Sequence, residues 1–210
     1  MFARIKSLDY KVLHNISRLH RPSLNIIMKT ASRSANVGII WWLITLPFLI
    51  RPEWRATGFN FVVALAFAHV MGEGLIKHVV KRIRPCHSLD DDEQLINRPR
   101  FYSFPSGHTT ASFAMVGVSL LRCRVITFVP IIILAALISF SRIYLRVHYL
   151  TDVIAGVILG TTCGMLSVLF SQRSDCIKNM NNKTPLGNNS DIELLSGAIF
   201  CSTERLKSAE

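Results

Sequence analysis

Long apolar stretches recur along this chain and are separated by short polar segments. A helix needs about 20 apolar residues to cross a bilayer, and the stretches at 125–144 and 153–170 come closest to that length. The stretches at 37–50 and 109–121 reach it only with flanking Ser, Thr and Gly, which membrane helices tolerate. With a fifth stretch at 59–75, the pattern predicts five spans, of which the short two are tilted or recessed.

Upstream of the first stretch, apolar and basic residues follow a helical pattern. The apolar positions recur at spacings that place them on one side of a helix, and they are Leu8, Val12, Leu13, Ile16 and Leu19. Because basic residues stand between them, we expect an amphipathic helix. It either lies in the headgroup layer against anionic lipid or packs against the other spans.

Beyond residue 170 the composition changes to Ser, Asn, Lys and Asp. Such a segment buries too little apolar surface to offset the entropy lost on ordering, so we expect a largely disordered tail. The chain thus divides into an N-terminal amphipathic interfacial segment at 1–35, a membrane domain at 36–170 and a polar tail at 171–210.

The composition supports a membrane domain. Hydrophobic residues make up 50% of the chain and charged residues only 18%, which is too apolar for an ordinary soluble domain of this size. We therefore expect the all-α class, as an integral membrane helical bundle with about five transmembrane helices plus the N-terminal interfacial helix. A soluble all-α bundle with buried helices is the alternative.

The formal net charge of +11 points to anionic lipid and phosphate rather than to nucleic acid. The cations are spread over loops and span ends, and aromatic stacking platforms are missing. The five cysteines are far apart and lack metal-ligand spacing, so neither a zinc site nor a disulfide framework is indicated.

Three polar clusters stand at the ends of the apolar stretches. If the second stretch crosses the membrane and the third crosses back, the loop at 77–104 lies on one face. The fourth stretch then returns to that face and delivers residues 142–152 beside the loop. Connectivity alone therefore brings the three clusters together.

The first cluster is basic. Lys77 and Arg84 are two helical turns apart and face one side of a continuing helix, which Pro85 then ends. Basic residues also flank membrane helices commonly, so this cluster, which includes Arg82, is alternatively a solvated or headgroup-binding group. Glu73 lies four residues before Lys77 and either pairs with it or faces the headgroups.

The second cluster is Pro105-Ser106-Gly107-His108. Ser106 is a good N-cap, and a helix that starts here presents free amides and its positive dipole end to an anion. Gly107 allows phosphate to approach the backbone closely. The alternative is an ordinary capped helix with an interfacial histidine at His108.

The third cluster combines a cation, an imidazole and a carboxylate. Arg142 offers a planar fork for phosphoryl oxygens. His148 and Asp152 are four residues apart and able to share a helix face. A carboxylate that holds one imidazole nitrogen leaves the other free to attack, whereas a structural salt bridge between the two is the alternative. Ionisable residues at membrane depth are costly and usually functional.

Together the clusters carry a resemblance to a known family. The pattern Lys77-x6-Arg84-Pro85, then Pro105-Ser106-Gly107-His108, then Ser141-Arg142-x5-His148-x3-Asp152 resembles the three-part signature of the type 2 phosphatidic acid phosphatases. These membrane lipid phosphatases are related to vanadium haloperoxidases. Every signature position is filled, and the resemblance covers about residues 8–170.

The resemblance implies a role for each matching position. His148 is then the nucleophile that becomes a phosphohistidine, Asp152 orients it, and His108 is the general acid. The phosphoryl oxygens are bound by Lys77, Arg84, Arg142 and the amides of Ser106 and Gly107. No metal or other cofactor is expected, because the basic side chains neutralise the phosphate charge.

The resemblance also implies a substrate class. We expect hydrolysis of a terminal phosphate from an amphiphile whose chain stays in the bilayer, such as undecaprenyl diphosphate, phosphatidylglycerol phosphate, phosphatidic acid or a decaprenyl-phosphate sugar that carries a phosphate. A vanadate-dependent haloperoxidase is one alternative, although its architecture is larger and soluble. A non-catalytic phosphate-lipid binder or transporter is another, but it predicts a broken pair, whereas His108 and His148 are both present.

The location of the active site is a further expectation. With five spans, the basic N-terminal region shares the active-site face, which points that face to the cytoplasm. The opposite loops also carry arginines, however, and bacterial relatives generally work on the outer face. We therefore expect a multi-pass protein of the cytoplasmic membrane with its active site on the extracytoplasmic face.

Overall fold

The computed structural model of the chain describes residues 2–88, 94–99 and 101–183. The part up to Val168 forms one compact unit, and the part from Leu169 onwards forms a second. The first unit contains all the residues of the three polar clusters. Of the second unit, only residues up to 183 are described, and these are helical.

The described residues are helical with turns between, and no strand occurs among them. The eight α-helices of this part are α1 (Phe2–Ser17), α2 (Pro22–Ser34), α3 (Ile39–Ile50), α4 (Arg55–Ala68), α5 (Lys77–Val80), α6 (Gly107–Arg122), α7 (Val125–Tyr144) and α8 (Leu150–Lys183). The expected all-α fold class is confirmed.

Three helical segments are long and apolar enough to cross a membrane: Pro52–Val80, Val125–Tyr144 and Leu150–Ser174. The segments Pro22–Ser34 and Asn36–Ile50, bent by 57° at their junction, make a fourth if they count as one span. The described chain thus has three or four candidate spans by length and composition, where the sequence pattern predicts about five.

The difference lies in α6, the helix of the third apolar stretch. It has 16 residues, fewer than the roughly 20 that a bilayer crossing takes. Nine of its residues are buried, from Thr109 to Ser119. Neighbouring helices therefore surround α6 over much of its length, and its apolar surface is matched by protein.

The Pro52–Val80 segment changes its winding just before the first polar cluster. Residues His69–Ile76 form a π-helical stretch between α4 and α5, a feature that often marks functional positions. The helix then ends at Val80, where Lys81 adopts a left-handed conformation with φ of 50°. Arg84 consequently lies outside the helix. The prediction that it shares a continuing helix with Lys77, ended by Pro85, is wrong.

The N-terminal helices pack onto the bundle through their apolar side. Leu13, Ile16 and Met28 are buried in one hydrophobic cluster with Tyr144 and Val147. Of the two positions predicted for the amphipathic helix, the structure shows the one in which the helix packs against the other helices. Its contact with the headgroup layer stays a prediction.

Helix α8 extends past the end of the expected membrane domain. It continues to Lys183, so residues 171–183, which the sequence places in the polar tail, are helical. Residues 184–210 lie outside the described residues, and the disorder of that part of the tail stays a prediction.

Glycines allow α6 and α8 to approach each other closely. A β-carbon at Gly160 would overlap the carbonyl oxygen of Thr110, one at Gly164 would overlap that of Ala114, and one at Gly117 would meet that of Thr161. Small residues four apart are typical of tight helix pairs in membranes. This contact sets the distance between the start of α6 and the start of α8, where the second and third clusters stand.

Replacing Gly160 by Ala should therefore separate the two helices and lower the stability of the protein by about 1–3 kcal/mol. The matched control is Gly74→Ala, which adds the same methyl group where the nearest atom is 4.0 Å away. Thermal unfolding of both purified variants in detergent measures the effect. Equal unfolding temperatures for the two variants would contradict the close helix contact.

Candidate active site

The three clusters meet at one end of the bundle. Lys77 begins α5, Ser106 precedes α6, Arg142 lies in the last turn of α7, and Asp152 lies in the first turn of α8. Six of the predicted site residues are at most 4% exposed: Lys77, Arg84, Ser106, Arg142, His148 and Asp152. Ionisable side chains are rarely buried to this extent without partners.

The predicted cations lie within electrostatic range of one another and of both imidazoles. Lys77 experiences the charges of Arg84 and Arg142. All three act on His108 and on His148. The structure therefore places the two histidines in one strongly positive region, as the connectivity predicts.

The imidazole of His148 has a defined orientation. Nη1 of Arg84 lies 2.8 Å from Nε2 of His148, and a guanidinium only donates hydrogen bonds. Nε2 is therefore the acceptor, and the proton of the neutral ring resides on Nδ1. Arg84 is itself fixed by the carbonyls of Phe101 and Val147, at 2.5 and 3.1 Å.

The environment of His148 also favours the neutral ring. Burial, followed by the charges of Arg84, Arg142 and Lys77, holds the pKa of His148 well below its usual value. An imidazole with this pKa is unprotonated at Nε2 at neutral pH. That nitrogen consequently has a lone pair, directed towards a cationic group.

On the other side of the ring, His148 faces both Ser103 and Asp152. Nδ1 of His148 is 3.5 Å from Oγ of Ser103 and 3.6 Å from Oδ2 of Asp152. The Ser103 hydroxyl donates to Oδ2 of Asp152 over 2.5 Å. The Asp152 carboxylate, which the sequence predicts beside the ring, and the Ser103 hydroxyl therefore both face Nδ1.

The carboxylate of Asp152 is held from several directions. Oδ2 accepts the Tyr149 backbone N–H at 2.9 Å, as in a capping box at the start of α8. Oδ1 accepts from Nη1 of Arg82 at 2.7 Å. Asp152 is 0% exposed, so these donors take the place of water around a buried charge.

Lys77 is paired with Glu73 over 2.6 Å, which is one of the two arrangements predicted for that carboxylate. Glu73 also lies against the start of α6, since a β-carbon at Gly107 would overlap its carboxylate. A negatively charged group thus occupies the space beside a lysine and a helix N-terminus. This is the environment that a phosphate would favour.

Ser106 serves a different purpose from the one expected. Its backbone N–H donates to the carbonyl of Asp152 at 3.1 Å, so this amide is engaged within the protein. Ser106 is the N-cap residue of α6, but its side chain makes no capping hydrogen bond. The residue instead joins the start of α6 to the start of α8, and Gly107 follows it as the first residue of α6.

The two remaining site residues have partners from the N-terminal segment. Nη1 of Arg142 donates to Oγ of Ser32 in α2. Nε2 of His108 lies 3.0 Å from Oδ1 of Asn36, at the bend before α3. Because the amide oxygen is an acceptor, Nε2 of His108 carries a proton.

Sequence reasoning did not identify the residues that support the predicted ones. Ser103 stands two residues before the Pro105 motif, among Phe101, Tyr102 and Phe104, and its nearness to that motif is the one available signal. Arg82 was visible only as part of a basic cluster. Ser32 belongs to the segment predicted to be interfacial and Asn36 to the start of the predicted membrane domain, and nothing in their spacing indicates their partners.

The described residues contain no group of three His, Cys, Asp or Glu side chains that could hold a metal ion. Donor groups of Lys77, Arg84 and Arg142 do converge on the site. An arrangement of this kind binds and polarises an anionic oxygen-rich group.

Comparison with known proteins agrees with this geometry. The undecaprenyl-diphosphatase of Sulfolobus acidocaldarius is 35% identical over 129 residues, which are 61% of this chain and 62% of that protein. This chain thus spans less than two thirds of that relative. The decaprenylphosphoryl-5-phosphoribose phosphatase of Mycobacterium tuberculosis is 34% identical over 152 residues, or 70% and 80% of the two chains.

The fold also has a solved counterpart. The transmembrane PAP2 type phosphatidylglycerolphosphate phosphatase of Bacillus subtilis superposes with a TM-score of 0.66 at 21% identity, over 81% of this chain and 87% of that one. At this identity the likeness concerns the fold. The model of the PAP2 superfamily matches residues 57–176, a range that contains all three clusters. The chain therefore belongs to the PAP2 superfamily, and its candidate spans are those of a multi-pass membrane protein.

Proposed function

We propose that the chain hydrolyses a terminal phosphate of a prenyl diphosphate or a phospholipid phosphate through a phosphohistidine formed on His148. One observation carries the proposal. The neutral ring of His148 directs the lone pair of Nε2 at Arg84, 2.8 Å away, while its Nδ1 side faces Ser103 and Asp152. A nucleophile is thereby aimed at the position where cations would hold a phosphoryl group.

In the first step, Nε2 of His148 attacks phosphorus and the bond from phosphorus to the leaving oxygen breaks. Arg84 transfers its hydrogen bond from the ring to a phosphoryl oxygen, which frees the lone pair. Lys77, Arg142 and the amide of Gly107 neutralise the charge that develops on the remaining oxygens. As the imidazole becomes positive, Ser103 and Asp152 stabilise the Nδ1 proton.

His108 supplies the proton for the leaving oxygen. With the anionic substrate bound, His108 acts as the imidazolium: its Nε2–H, which Asn36 accepts at 3.0 Å in the free protein, passes to the leaving oxygen, and the neutral ring of His108 remains. In the second step this neutral ring of His108 accepts a proton from water, whose oxygen attacks phosphorus. The bond between phosphorus and His148 breaks, inorganic phosphate leaves, and both histidines return to their starting states.

The two relatives compared above favour one substrate class. Both are named for substrates with a polyprenyl chain, one a diphosphate and the other a sugar phosphate. We propose a polyprenyl phosphate or diphosphate as the preferred substrate, with its chain in the bilayer. A phosphate-release screen over lipid phosphates and diphosphates in detergent would identify the substrate, and release from none of them would contradict the proposed function.

Replacing His148 by Ala should reduce phosphate release at least about a thousandfold, because the nucleophile is lost. The matched control is His78→Ala, which removes an exposed imidazole from the end of the same bundle. Acid-quenched reactions with a radiolabelled phosphate substrate should show a labelled parent protein and an unlabelled His148→Ala variant. Undiminished hydrolysis by His148→Ala would refute the assignment of the nucleophile.

Removal of metal ions should leave the activity unchanged. Lys77, Arg84 and Arg142 already provide the positive charge that a divalent cation supplies elsewhere. The measurement is phosphate release before and after dialysis against a chelator, with readdition of Mg²⁺, Mn²⁺ or Zn²⁺ as the control. A loss on chelation that one of these ions reverses would contradict the metal-independent mechanism.

We also propose that the active site faces the outside of the cytoplasmic membrane. Two variants in a cysteine-free background would report the orientation. Asn97→Cys places a single cysteine in the active-site loop, and Glu53→Cys places one at the other end of the Pro52–Val80 span. Both positions are exposed. In intact cells an impermeant maleimide should label only the first variant, and the reverse pattern would place the site in the cytoplasm.

A further inference from the structure

Asp9 is a fully buried carboxylate in a helix that is otherwise amphipathic and basic. It is 0% exposed, although α1 contains Arg4, Lys6 and Lys11 and carries exposed polar residues on its outer side. Charged side chains are buried in this way only when other groups compensate the charge. The partners of Asp9 therefore indicate its purpose.

These partners belong to the active-site end of the bundle. Oδ2 of Asp9 accepts from Nη2 of Arg82 and from the hydroxyl of Thr151, both at 2.7 Å. Oδ1 accepts the backbone N–H of Thr151 at 3.1 Å. Thr151 immediately precedes Asp152. The carboxylate of α1 thus holds the first turn of α8 directly.

Arg82 connects Asp9 to Asp152. Its Nη2 binds the first carboxylate, while its Nη1 donates to Oδ1 of Asp152 at 2.7 Å. The guanidinium lies over the ring of Tyr149, 3.9 Å from the ring centroid, which fixes its plane. A continuous series of contacts therefore leads from Asp9 through Arg82 and Asp152 to Ser103, which lies against His148.

We propose that Asp9 is a positioning residue of the phosphatase reaction, which acts through Arg82 on Asp152 and thereby on His148. The N-terminal helix is then part of the catalytic centre. This inference rests on the function proposed above. It extends that function to a residue outside the matched range of the family, 57–176.

The physical reason is the division of one positive charge between two carboxylates. With Asp9 present, the charge of Arg82 is shared, and Asp152 keeps enough negative charge to accept strongly from Ser103. Without the charge of Asp9, Arg82 neutralises Asp152 more completely and gains freedom to rotate. Ser103 and His148 are then held less firmly, and the phosphorus–nitrogen bond forms more slowly.

The expected kinetic signature separates chemistry from binding. Asp9 contacts none of the groups proposed to bind phosphate, so its removal should lower kcat and leave KM within about twofold. Loss of a residue that supports a catalytic group typically costs about 10–100-fold. We expect Asp9→Asn to lower kcat about tenfold or more.

The experiment uses the full-length chain in detergent with the substrate found in the screen. Asp9→Asn keeps the shape of the side chain and removes its charge. The control Glu53→Gln removes one carboxylate from an exposed position. The rate of phosphoenzyme formation, measured by acid quench and normalised to folded protein, should fall for Asp9→Asn and be unchanged for the control.

A double-mutant cycle with Ser103→Ala distinguishes positioning from a purely structural effect. If Asp9 acts through the same contacts, Asp9→Asn should have a clearly smaller effect on kcat when Ser103 is already absent. If Asp9→Asn does not fold, Arg82→Lys replaces it, because lysine keeps a cation near Asp9 but lacks the fork that spans both carboxylates. It should lower kcat by a similar factor.

Two outcomes would overturn the inference alone: an active parent whose Asp9→Asn variant keeps kcat within about twofold, or effects of Asp9→Asn and Ser103→Ala that multiply independently. If Arg82→Lys is used instead, an unchanged kcat would likewise overturn the inference. An inactive parent would instead overturn the proposed function, and this inference with it.

Discussion

The site depends on the burial of the Asp152 carboxylate, which is compensated by groups from separate parts of the chain. The carboxylate oxygens accept hydrogen bonds from Arg82, Ser103 and the Tyr149 backbone N–H. The backbone carbonyl of Asp152 accepts a further one from the Ser106 backbone N–H. An uncompensated charge at this depth would be strongly unfavourable. The carboxylate is therefore stable only when the basic loop, the start of α6 and the start of α8 are assembled, so the folding of these segments and the orientation of His148 are coupled.

The same low-polarity environment explains the arrangement of the cations. Lys77, Arg84 and Arg142 repel one another, and a bilayer-facing bundle has little water to screen that repulsion. In the described structure, Glu73 compensates Lys77, while carbonyl and hydroxyl oxygens accept from the two arginines. A phosphoryl group offers these cations a common anionic partner. Its binding would then replace several separate contacts by one, which favours the highly charged transition state of phosphoryl transfer.

Features that depend on residues close together in the chain could be predicted from the sequence, whereas contacts between residues far apart in the chain could not. The helices and the convergence of the three clusters depend on local periodicity and on connectivity, and both are visible in the chain. The helix end at Val80, which removes Arg84 from the helix, depends on one left-handed residue, Lys81, that has no sequence signal of its own. Ser103 and Asp9 reach Asp152 and Thr151 from 49 and 142 positions away. Contacts of this kind are set by the packing of complete helices, and no spacing rule predicts them.

The N-terminal segment illustrates the consequence. Its apolar pattern is compatible with a helix that merely lies on the membrane, yet Ser32 contacts Arg142 and Asn36 contacts His108. Asp9 contacts Arg82 and Thr151. The bend between α2 and α3, formed by left-handed Val37 and Gly38, places Asn36 beside the histidine proposed as general acid. The side chains of His108 and Asp152 are thus within two contacts of a residue from 9–36. The motif-bearing helices supply the reactive groups, and the segment before them restricts the orientations that those groups adopt.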